Sequence, residues 1–394
     1  MGTKFAFIKG FNFFVYGAIS VYSTFFALYL QGLGWSMVEI GALLAGGPVV
    51  SIVANPLWGY LSDRTRNLRL ILIIMLSGAM VMLSIVFATE SPTVIYCFML
   101  FFFFFQMPLF SQSNSLILNS IEGTSHNFGA FRLWGSLGWA VLAVLSGPII
   151  DMVGIEQLWV LVLAMMLMSI LFALGLPRGG AADNRLGGGD PAKSSFRSVF
   201  SNGFFLLFLF LGLLLSIPNA MNQTFISIYI AELGGNANMI GWAAFLSSVF
   251  EIPVFLLLDK YLKRSMSTMM LCLVGASLLF AVRWGLMAAT DTAYGVLAVQ
   301  VMHCITFGGF YYIGTRMTAM LVPSQFRASG QALYALIYGG LSGMIAGVFG
   351  GWLFQELGAK AMYSVGAGLA LVGIGGYLIM YRLGRRREAA ETAG

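Results

Sequence analysis

The amino-acid sequence predicts an all-α membrane protein with twelve transmembrane helices, arranged as two pseudo-symmetric six-helix bundles. Three observations support this fold class: apolar segments recur along the whole chain, basic residues alternate between loops, and the two halves share a motif. Of the 394 residues, 59% are hydrophobic and 9% are charged, whereas soluble domains contain about 25% charged residues. A membrane β-barrel would instead show alternating segments of ~10 residues.

Twelve segments approach or exceed the ~20 apolar residues that span a bilayer as a helix. They cover approximately residues 6–30, 37–60, 69–88, 93–120, 127–149, 155–176, 200–230, 239–259, 267–289, 293–320, 328–354 and 361–382. The first segment is too long for the core of a signal peptide and lacks a clear cleavage site, so we expect it to be retained. The three cysteines fall within predicted spans and form neither a disulfide framework nor a metal-binding pattern.

The charged residues of the loops predict the orientation of the chain. Basic residues fill one set of alternate loops, whereas the other set is mainly acidic and contains Lys360 as its only basic residue. The positive-inside rule therefore places both termini in the cytoplasm, with the protein in the cytoplasmic (inner) membrane. The net charge of +6 thus reports topology, and no nucleic-acid partner is expected. The expected partners are the lipid bilayer and a small-molecule substrate, and we expect the chain to act as a monomer.

The domain organisation follows from one polar segment and an internal repeat. Residues 1–176 form the predicted N-terminal bundle, 177–199 a cytoplasmic linker rich in Gly, Ala and charge, and 200–394 the C-terminal bundle with a basic tail. The motif "YLQGLGWSMVEIG" at 29–41 returns as "YIAELGGNANMIG" at 229–241, an offset of 200 residues. Repeated halves of this kind indicate a substrate site between them, about which they rock.

A cytoplasmic loop carries the first family resemblance. The stretch "GYLSDRTRNLR" resembles the loop motif of the major facilitator superfamily, with Gly59, Asp63, Arg64 and Arg69 at the motif positions. We expect Asp63 to cap a neighbouring helix and the arginines to form pairs that break as the halves rock. A solvated loop that only sets topology is the alternative.

A second resemblance covers nearly the whole chain. The stretches "FGAFRLWGSLGWA", "EIPVF", "VRWGL", "MHCITFG" and "FRASGQALY" resemble spans of the branch that contains the lactose and phenylpropionate permeases. This resemblance implies proton-coupled import of a small organic solute such as a sugar, a nucleoside or an aromatic acid. An exporter that exchanges a drug or metabolite for protons is the alternative. A non-transporting sensor is disfavoured because the chain has no soluble signalling domain.

Enzyme activity and ATP drive find no support in the sequence. The spans contain no nucleophile–base spacing and no metal-ligand cluster, and the chain has no Walker-type phosphate loop. No cofactor is therefore expected, and protons are the predicted coupling ion.

Three ionisable residues are predicted to carry proton coupling. Glu251 is the acid placed deep within a span, and its predicted neighbours are Arg132, Arg283 and His303 from spans five, nine and ten. His303 is also a candidate to donate a hydrogen bond to the substrate. A carboxylate binds its proton less tightly beside an arginine, so a changing distance from Glu251 to Arg283 would couple protonation to rocking. The alternatives are a static buried ion pair for Glu251 and a neutral, packed imidazole for His303.

Arg132 and Trp139 are the first candidates for substrate binding. They are seven residues apart and therefore share a helix face. The resemblance implies that the arginine binds a sugar hydroxyl and that the tryptophan stacks on the sugar ring. The same pair would also hold an aromatic acid, guanidinium on carboxylate and indole on ring. Plain packing is the alternative for Trp139.

Further candidates are polar side chains within the spans. Asn12 and Tyr16 lie on one face of span one, and Asn222 lies on span seven; each lines a cavity or bonds a neighbouring helix. Asn114 stands where the lactose permease has a glutamate, and Thr306 where it has the proton-accepting glutamate. Because Asn114 does not neutralise Arg132, the negative charge is left for the substrate to supply.

Overall fold

The computed structural model describes residues 2–124, 126–177, 202–262, 265–323 and 326–393. These residues are helical apart from short connections, and they contain no β-strand. They form two compact units. Unit 1 comprises the described residues up to 177 together with 230–245, and unit 2 comprises 202–229 and the described residues from 246 onward.

The described residues of the first half form seven α-helices. They are α1 Gly2–Gly32, α2 Met37–Thr65, α3 Leu68–Phe87, α4 Pro92–Gln106, α5 Leu109–Ile121, α6 Phe128–Val153 and α7 Leu158–Leu174. A capping box formed by Ser36 and Glu39 begins α2, and the Asn67 side chain caps α3. Within unit 1, α1 packs against α6 and α7, so α1 and α6 together position the polar side chains described below.

The described residues of the second half form nine α-helices. They are α8 Gly203–Glu232, α9 Ala237–Val249, α10 Glu251–Tyr261, α11 Met266–Ala289, α12 Ala293–Gln300, α13 Phe310–Leu321, α14 Arg327–Ala335, α15 Ser342–Ile345 and α16 Gly351–Ala393. Three π-helical segments connect the later helices: Cys304–Gly309, Leu336–Leu341 and Ala346–Gly350. The long α16 is interrupted at Gly358, whose φ of 83° and ψ of 165° are not helical.

The predicted membrane spans are helical where the structure describes them. Ten intervals of the described residues are long and apolar enough to cross a membrane, and α9 is a shorter apolar helix. The chain is therefore a multi-pass helical membrane protein, as predicted. Predicted spans eleven and twelve fall within a single interval, 330–385, which Gly358 interrupts. The count of twelve stays a prediction. The predicted linker, 177–199, lies outside the described residues apart from Pro177, and the domain boundaries also stay a prediction.

The internal repeat is visible in the backbone. Helix α1 ends at Gly32 and α8 ends at Glu232, while α2 begins at Met37 and α9 at Ala237. Gly34 and Gly234 both have positive φ, 85° and 75°. This left-handed conformation is disfavoured for residues with a Cβ, which explains why both halves have glycine there. The repeat predicted from the two motifs is confirmed at these positions.

Within unit 1, the Asp151 carboxylate connects residues 230–245 to α6. Asp151, near the end of α6, accepts hydrogen bonds from the amides of Ala237 at 2.7 Å and Asn238 at 3.0 Å. The first amides of a helix lack intrahelical partners and carry a positive partial charge, so they suit a carboxylate. The backbones are also close, because a Cβ on Gly147 would lie 2.6 Å from the Ala237 carbonyl oxygen. Asp151 thus caps α9 against α6.

Candidate functional site

Arg132 lies on α6 beside an aromatic ring of α1. Its guanidinium carbon is 4.3 Å from the centre of the Tyr16 ring, a geometry that favours a cation. Gly135 makes room for this contact, since a Cβ there would lie 2.9 Å from the Tyr16 ring and 3.1 Å from Arg132 Nη1. The half-buried guanidinium donates one long hydrogen bond, 3.4 Å to Ser136 Oγ. No carboxylate of the described residues lies within 4 Å of it.

The polar residues of α1 divide into bonded and unbonded groups. Asn12 Oδ1 accepts a hydrogen bond of 2.6 Å from Ser113 Oγ on α5, and Ser20 Oγ donates one of 2.8 Å to the Trp139 carbonyl. These two residues bond neighbouring helices. The Tyr16 hydroxyl is buried and forms no hydrogen bond with the described residues. Of the two candidates on span one, Asn12 and Tyr16, Tyr16 therefore has the unused polar group.

Asn114 and Trp139 complete the candidate residues of unit 1. The Oδ1 atom of Asn114 is buried and accepts no hydrogen bond from the part of the chain that the structure describes. Trp139 is half-buried, and its ring centre is 6.5 Å from that of Phe110, which in turn is 4.8 Å from that of Tyr16. Unit 1 thus combines a guanidinium with unused donors, an amide oxygen, a hydroxyl and a chain of three aromatic rings.

In unit 2, Glu251 lies at a break in the predicted eighth span. Helix α9 ends at Val249, and α10 begins at Glu251. Pro253 has no amide hydrogen to donate to the carbonyl of Val249, so the hydrogen-bond ladder fails there. Glu251 is consequently the first residue of a new helix, where the positive end of the helix dipole favours a carboxylate. The break offsets part of the cost of an acid at membrane depth.

His303 is a partner of Glu251 in the fold. His303 Nε2 lies 3.5 Å from Glu251 Oε1, with 7% of the histidine side chain and 25% of the glutamate side chain exposed. The His303 Nδ1 is buried and forms no hydrogen bond with the described residues. The His303 ring stacks on Phe307, with ring centres 4.8 Å apart. The π-helical segment Cys304–Gly309 begins next to it, and such segments are frequent at functional sites.

Arg283 bonds to neutral groups instead of an acid. It is fully buried and donates to Gln300 Oε1 at 3.0 Å, Thr306 Oγ1 at 3.1 Å and Asn219 Oδ1 at 3.4 Å. No carboxylate of the described residues lies within 4 Å of its guanidinium. The expected neighbourhood of Glu251, His303 and Arg283 is present, but the contact of Glu251 is with His303. A static Glu251–Arg283 ion pair is not observed.

Asn222 belongs to the same polar network. It donates to Gln300 Oε1 at 3.4 Å and accepts from the Tyr363 hydroxyl at 3.1 Å. All three residues are buried, so in this structure Asn222 bonds helices together. Sequence reasoning missed Gln300 and Thr306 as acceptors for Arg283. Their spacing was the available signal, since both are three residues from His303 and therefore near one helix face.

Comparison with known proteins decides the family. A model described as the MFS_1 like family matches residues 5–365. The chain belongs to this family. The predicted membership of the major facilitator superfamily is thereby confirmed.

Relatives of this family member are named as permeases and transporters. This chain is 26% identical to the maltose permease of Geobacillus stearothermophilus, over 96% of this chain and 94% of that protein. It is 29% identical to the probable 3-phenylpropionic acid transporter of Escherichia coli (strain K12), over 88% and 89% of the two chains. The crystal structure of the nucleoside transporter NupG matches 97% of this chain and 99% of its own with a TM-score of 0.80 at 16% identity, which shows a shared fold. The chain is a transporter of the major facilitator type.

In the superfamily loop motif, the two arginines donate hydrogen bonds to described residues. Arg69 Nη1 donates to the Leu176 carbonyl at 3.4 Å, and Arg64 Nη1 donates to the Tyr60 hydroxyl at 3.3 Å. Asp63 is exposed and forms no hydrogen bond with the residues that the structure describes. Gly59 has open space around it. Asp63 therefore caps no described helix, whereas Asp151 caps α9 from α6, a contact that sequence reasoning missed.

Proposed function

We propose that this transporter is a proton-coupled symporter that imports a small organic solute by alternating access. The observation that carries the proposal is Glu251, a carboxylate at a helix break within a predicted span, 3.5 Å from His303 Nε2. Ionisable groups at membrane depth mark proton or substrate pathways. We place the protein in the cytoplasmic membrane with both termini cytoplasmic, so membrane-impermeant cysteine labelling of intact cells should miss both termini.

The surroundings of Glu251 suit reversible protonation. One quarter of its side chain is exposed, which gives protons access without leaving the carboxylate fully solvated. The helix end favours the charged form, whereas desolvation favours the neutral form. A movement at the break between α9 and α10 changes this balance. Glu251 therefore gains or loses its proton as the conformation changes, which is the requirement for coupling.

Arg132 and Tyr16 are the proposed substrate contacts in unit 1. Arg132 has donors that no described residue uses, and Tyr16 and Asn114 each present a buried oxygen without a partner. A guanidinium binds a carboxylate through two parallel hydrogen bonds, and the neighbouring aromatic rings offer a surface for a ring. Among sugars, nucleosides and aromatic acids, this arrangement favours an aromatic acid.

The proposal is tested by transport in proteoliposomes containing the purified protein. Labelled maltose, 3-phenylpropionate and uridine are offered with and without an inward proton gradient, and in counterflow without one. We expect one of these solutes to accumulate against its gradient only when protons flow inward. In Glu251→Gln, uphill accumulation should fall at least tenfold while counterflow persists, because the side chain mimics the protonated state permanently. Glu232→Gln, at the end of α8, is the matched control and should behave as wild type.

Each other outcome has a defined meaning. Uphill accumulation by a well-folded Glu251→Gln protein at the wild-type rate would contradict the role of Glu251 and transfer the coupling to His303. Solute efflux driven by inward proton flow would replace import with the alternative, a proton-coupled exporter. Absence of any solute-linked proton movement in the wild-type protein, with counterflow intact, would contradict proton coupling itself.

A further inference from the structure

Residues 230–245 connect two parts of unit 2 but pack within unit 1. They lie in sequence between residues 202–229 and the residues from 246 onward, both of which belong to unit 2. Helix α8 ends within this segment, and α9 begins within it. We call residues 230–245 the bridging segment. The proposed site does not use the contacts that this segment makes with α6.

Continuous helices join the bridging segment to unit 2. Sharp bends in helices occur mostly at proline or glycine, and neither is present at residues 229–230 of α8 or at residues 245–246 of α9. The Tyr229 hydroxyl also lies 3.1 Å from the carbonyl oxygens of Met287 and Thr290, at the end of α11 in unit 2. We therefore expect the bridging segment to move with unit 2 whenever the halves rock.

The contact between α6 and the bridging segment runs from backbone to backbone. A Cβ on Gly147 would lie 2.6 Å from the Ala237 carbonyl oxygen, and a Cβ on Gly241 would lie 2.5 Å from the Ala143 carbonyl oxygen. Asp151, one turn after Gly147 on the same face of α6, accepts the hydrogen bonds of two amides at the start of α9. We call Ala143, Gly147, Asp151, Ala237 and Gly241 the α6–α9 seam.

The chemistry of the seam suits a contact that separates and forms again. Glycine on both helices allows a close approach without long side chains that interlock. Asp151 is exposed, so water replaces its two hydrogen bonds when the helices part. The amides of Ala237 and Asn238 are first-turn amides, which have no partner within their own helix and bind water equally well. Separation therefore leaves no polar group of the Asp151 contact without a partner.

We propose that the α6–α9 seam is a latch, held closed by Asp151 in this conformation and released once in each transport cycle. This inference rests on the proposed alternating access and names the residue that sets its closed state. The charges of the loops predict that this end of α6 faces away from the cytoplasm, so release opens that side of the protein. Helix α6 also carries Arg132, so the latch and the proposed substrate contact lie on one helix.

The first measurement follows the seam without solute. Spin labels on Met152→Cys and Asn236→Cys, both exposed positions, report the separation of α6 from the bridging segment by electron paramagnetic resonance in lipid. The native cysteines are replaced by serine in this background. We expect a single short distance in the parent protein. Gly147→Leu should shift most of the population to a longer distance, because its side chain would collide with the backbone of α9. Asp151→Asn, which keeps the size but loses the charge, should shift a smaller part.

Two matched controls accompany these variants. Gly129→Leu changes a glycine of the same helix that has open space around it. Glu156→Gln removes an exposed acid just after α6 that forms no hydrogen bond with the described residues. Both should keep the short distance of the parent protein.

The second measurement asks whether transport needs the seam to separate. Asp151→Cys combined with Asn238→Cys places two thiols where the Asp151 carboxylate and the Asn238 amide are now 3.0 Å apart. A short, reducible thiol cross-linker then fixes the seam. We expect counterflow of the transported solute to fall at least tenfold after cross-linking and to recover when the linker is reduced, so each sample is its own control.

The outcomes separate this inference from the proposed function, because neither measurement uses a proton gradient. Equal counterflow in the cross-linked and reduced protein would overturn the latch, even if transport proves to be proton-coupled. A parent distance in Gly147→Leu would overturn it as well, and a parent distance in Asp151→Asn would overturn the role of Asp151. Longer distances in both variants, with blocked counterflow after cross-linking, would support the latch even if proton coupling fails. Thermal unfolding equal to that of the parent protein shows that a longer distance does not come from misfolding.

Discussion

The two arginines at membrane depth, Arg132 in unit 1 and Arg283 in unit 2, have the same chemical group in opposite situations. Each guanidinium lies 4.3 Å from an aromatic ring centre, Arg132 over Tyr16 and Arg283 over Trp284. Neither has a carboxylate of the described residues within 4 Å. In the sequence each is a single cation in an apolar helix, Arg132 a candidate for substrate binding and Arg283 a candidate for proton coupling.

Their hydrogen bonds distinguish them. Arg283 is fully buried and donates three hydrogen bonds, of 3.0 to 3.4 Å, to Gln300, Thr306 and Asn219. Arg132 is half-buried and donates one, of 3.4 Å, to a serine one turn away on its own helix. A guanidinium has five N–H donors. Arg283 uses most of these donors in hydrogen bonds to other side chains. Most donors of Arg132 form no hydrogen bond with the described residues.

This difference separates a structural cation from a ligand-binding one. Although the Arg283 Nε is buried without a hydrogen-bond partner among the described residues, its two terminal nitrogens bond three acceptors on other helical segments. Removing the guanidinium would leave those acceptors without donors. A half-buried charge with unused donors depends on solvent or on a ligand for its remaining bonds. We therefore expect Arg283 to matter first for stability and Arg132 first for binding.

The largest expected effect is on stability, in Arg283→Gln. The shorter side chain cannot reach all three acceptors, and each lost bond to a charged donor is worth ~1.5–3 kcal/mol. We expect the free energy of unfolding to fall by about 3 kcal/mol or more, measured by denaturant titration of the purified protein in mixed micelles. Arg132→Gln is the matched control and should change this free energy little. Equal losses in the two variants would contradict the distinction between the arginines.

The second effect is on binding, in Arg132→Lys. Lysine keeps the charge but loses the planar fork that binds a carboxylate through two bonds. Affinity for the transported solute should weaken at least tenfold, about 1.4 kcal/mol, with unchanged thermal stability, as measured by titration of the purified protein. Arg316→Lys is a suitable control, because Arg316 also lies beside a tyrosine ring, Tyr312 at 5.4 Å, but near the end of α13. Unchanged affinity in Arg132→Lys would remove Arg132 from the site.

Features that depend on local chemistry were predictable from the sequence. The matching motifs around Gly34 and Gly234 predicted a repeated turn, and both glycines have the positive φ that such a turn requires. The helical fold class followed from the length and hydropathy of the segments. Of the ionisable residues selected within the spans, Glu251 lies beside His303, and Arg283 donates to Thr306, which bonds the His303 carbonyl, so these three share one neighbourhood of unit 2. Arg132, the other predicted neighbour of Glu251, belongs to unit 1.

Pairings between helices were harder to predict, because many neutral side chains can accept a bond from an arginine. The sequence indicated Glu251 as a partner for Arg283, but the helix break at Phe250 places the carboxylate beside His303 instead. Pro253 was the local sign of that break. The cap that Asp151 provides for α9 depends on two segments 86 residues apart in sequence, and no local pattern predicts such a contact.

The smallest expected effect concerns one oxygen atom, in Tyr16→Phe. The ring that lies under Arg132 is kept, so the guanidinium should hold its position and the protein its stability. The hydroxyl is buried without a protein partner, and a hydrogen bond from it to the solute would be worth ~0.5–1.5 kcal/mol. We expect a loss of affinity of a few-fold, measured as for Arg132→Lys. We expect no loss in the control Tyr22→Phe, because the Tyr22 hydroxyl on α1 is also buried without a hydrogen-bond partner among the described residues but is not a candidate for the site. If the affinity of Tyr16→Phe equals that of the wild type, the solute does not bond this hydroxyl, and Tyr16 acts on binding only through its ring. If Tyr22→Phe weakens binding as much as Tyr16→Phe does, the loss reflects a general change in unit 1, and the assignment of a site at Arg132 loses its support from this residue.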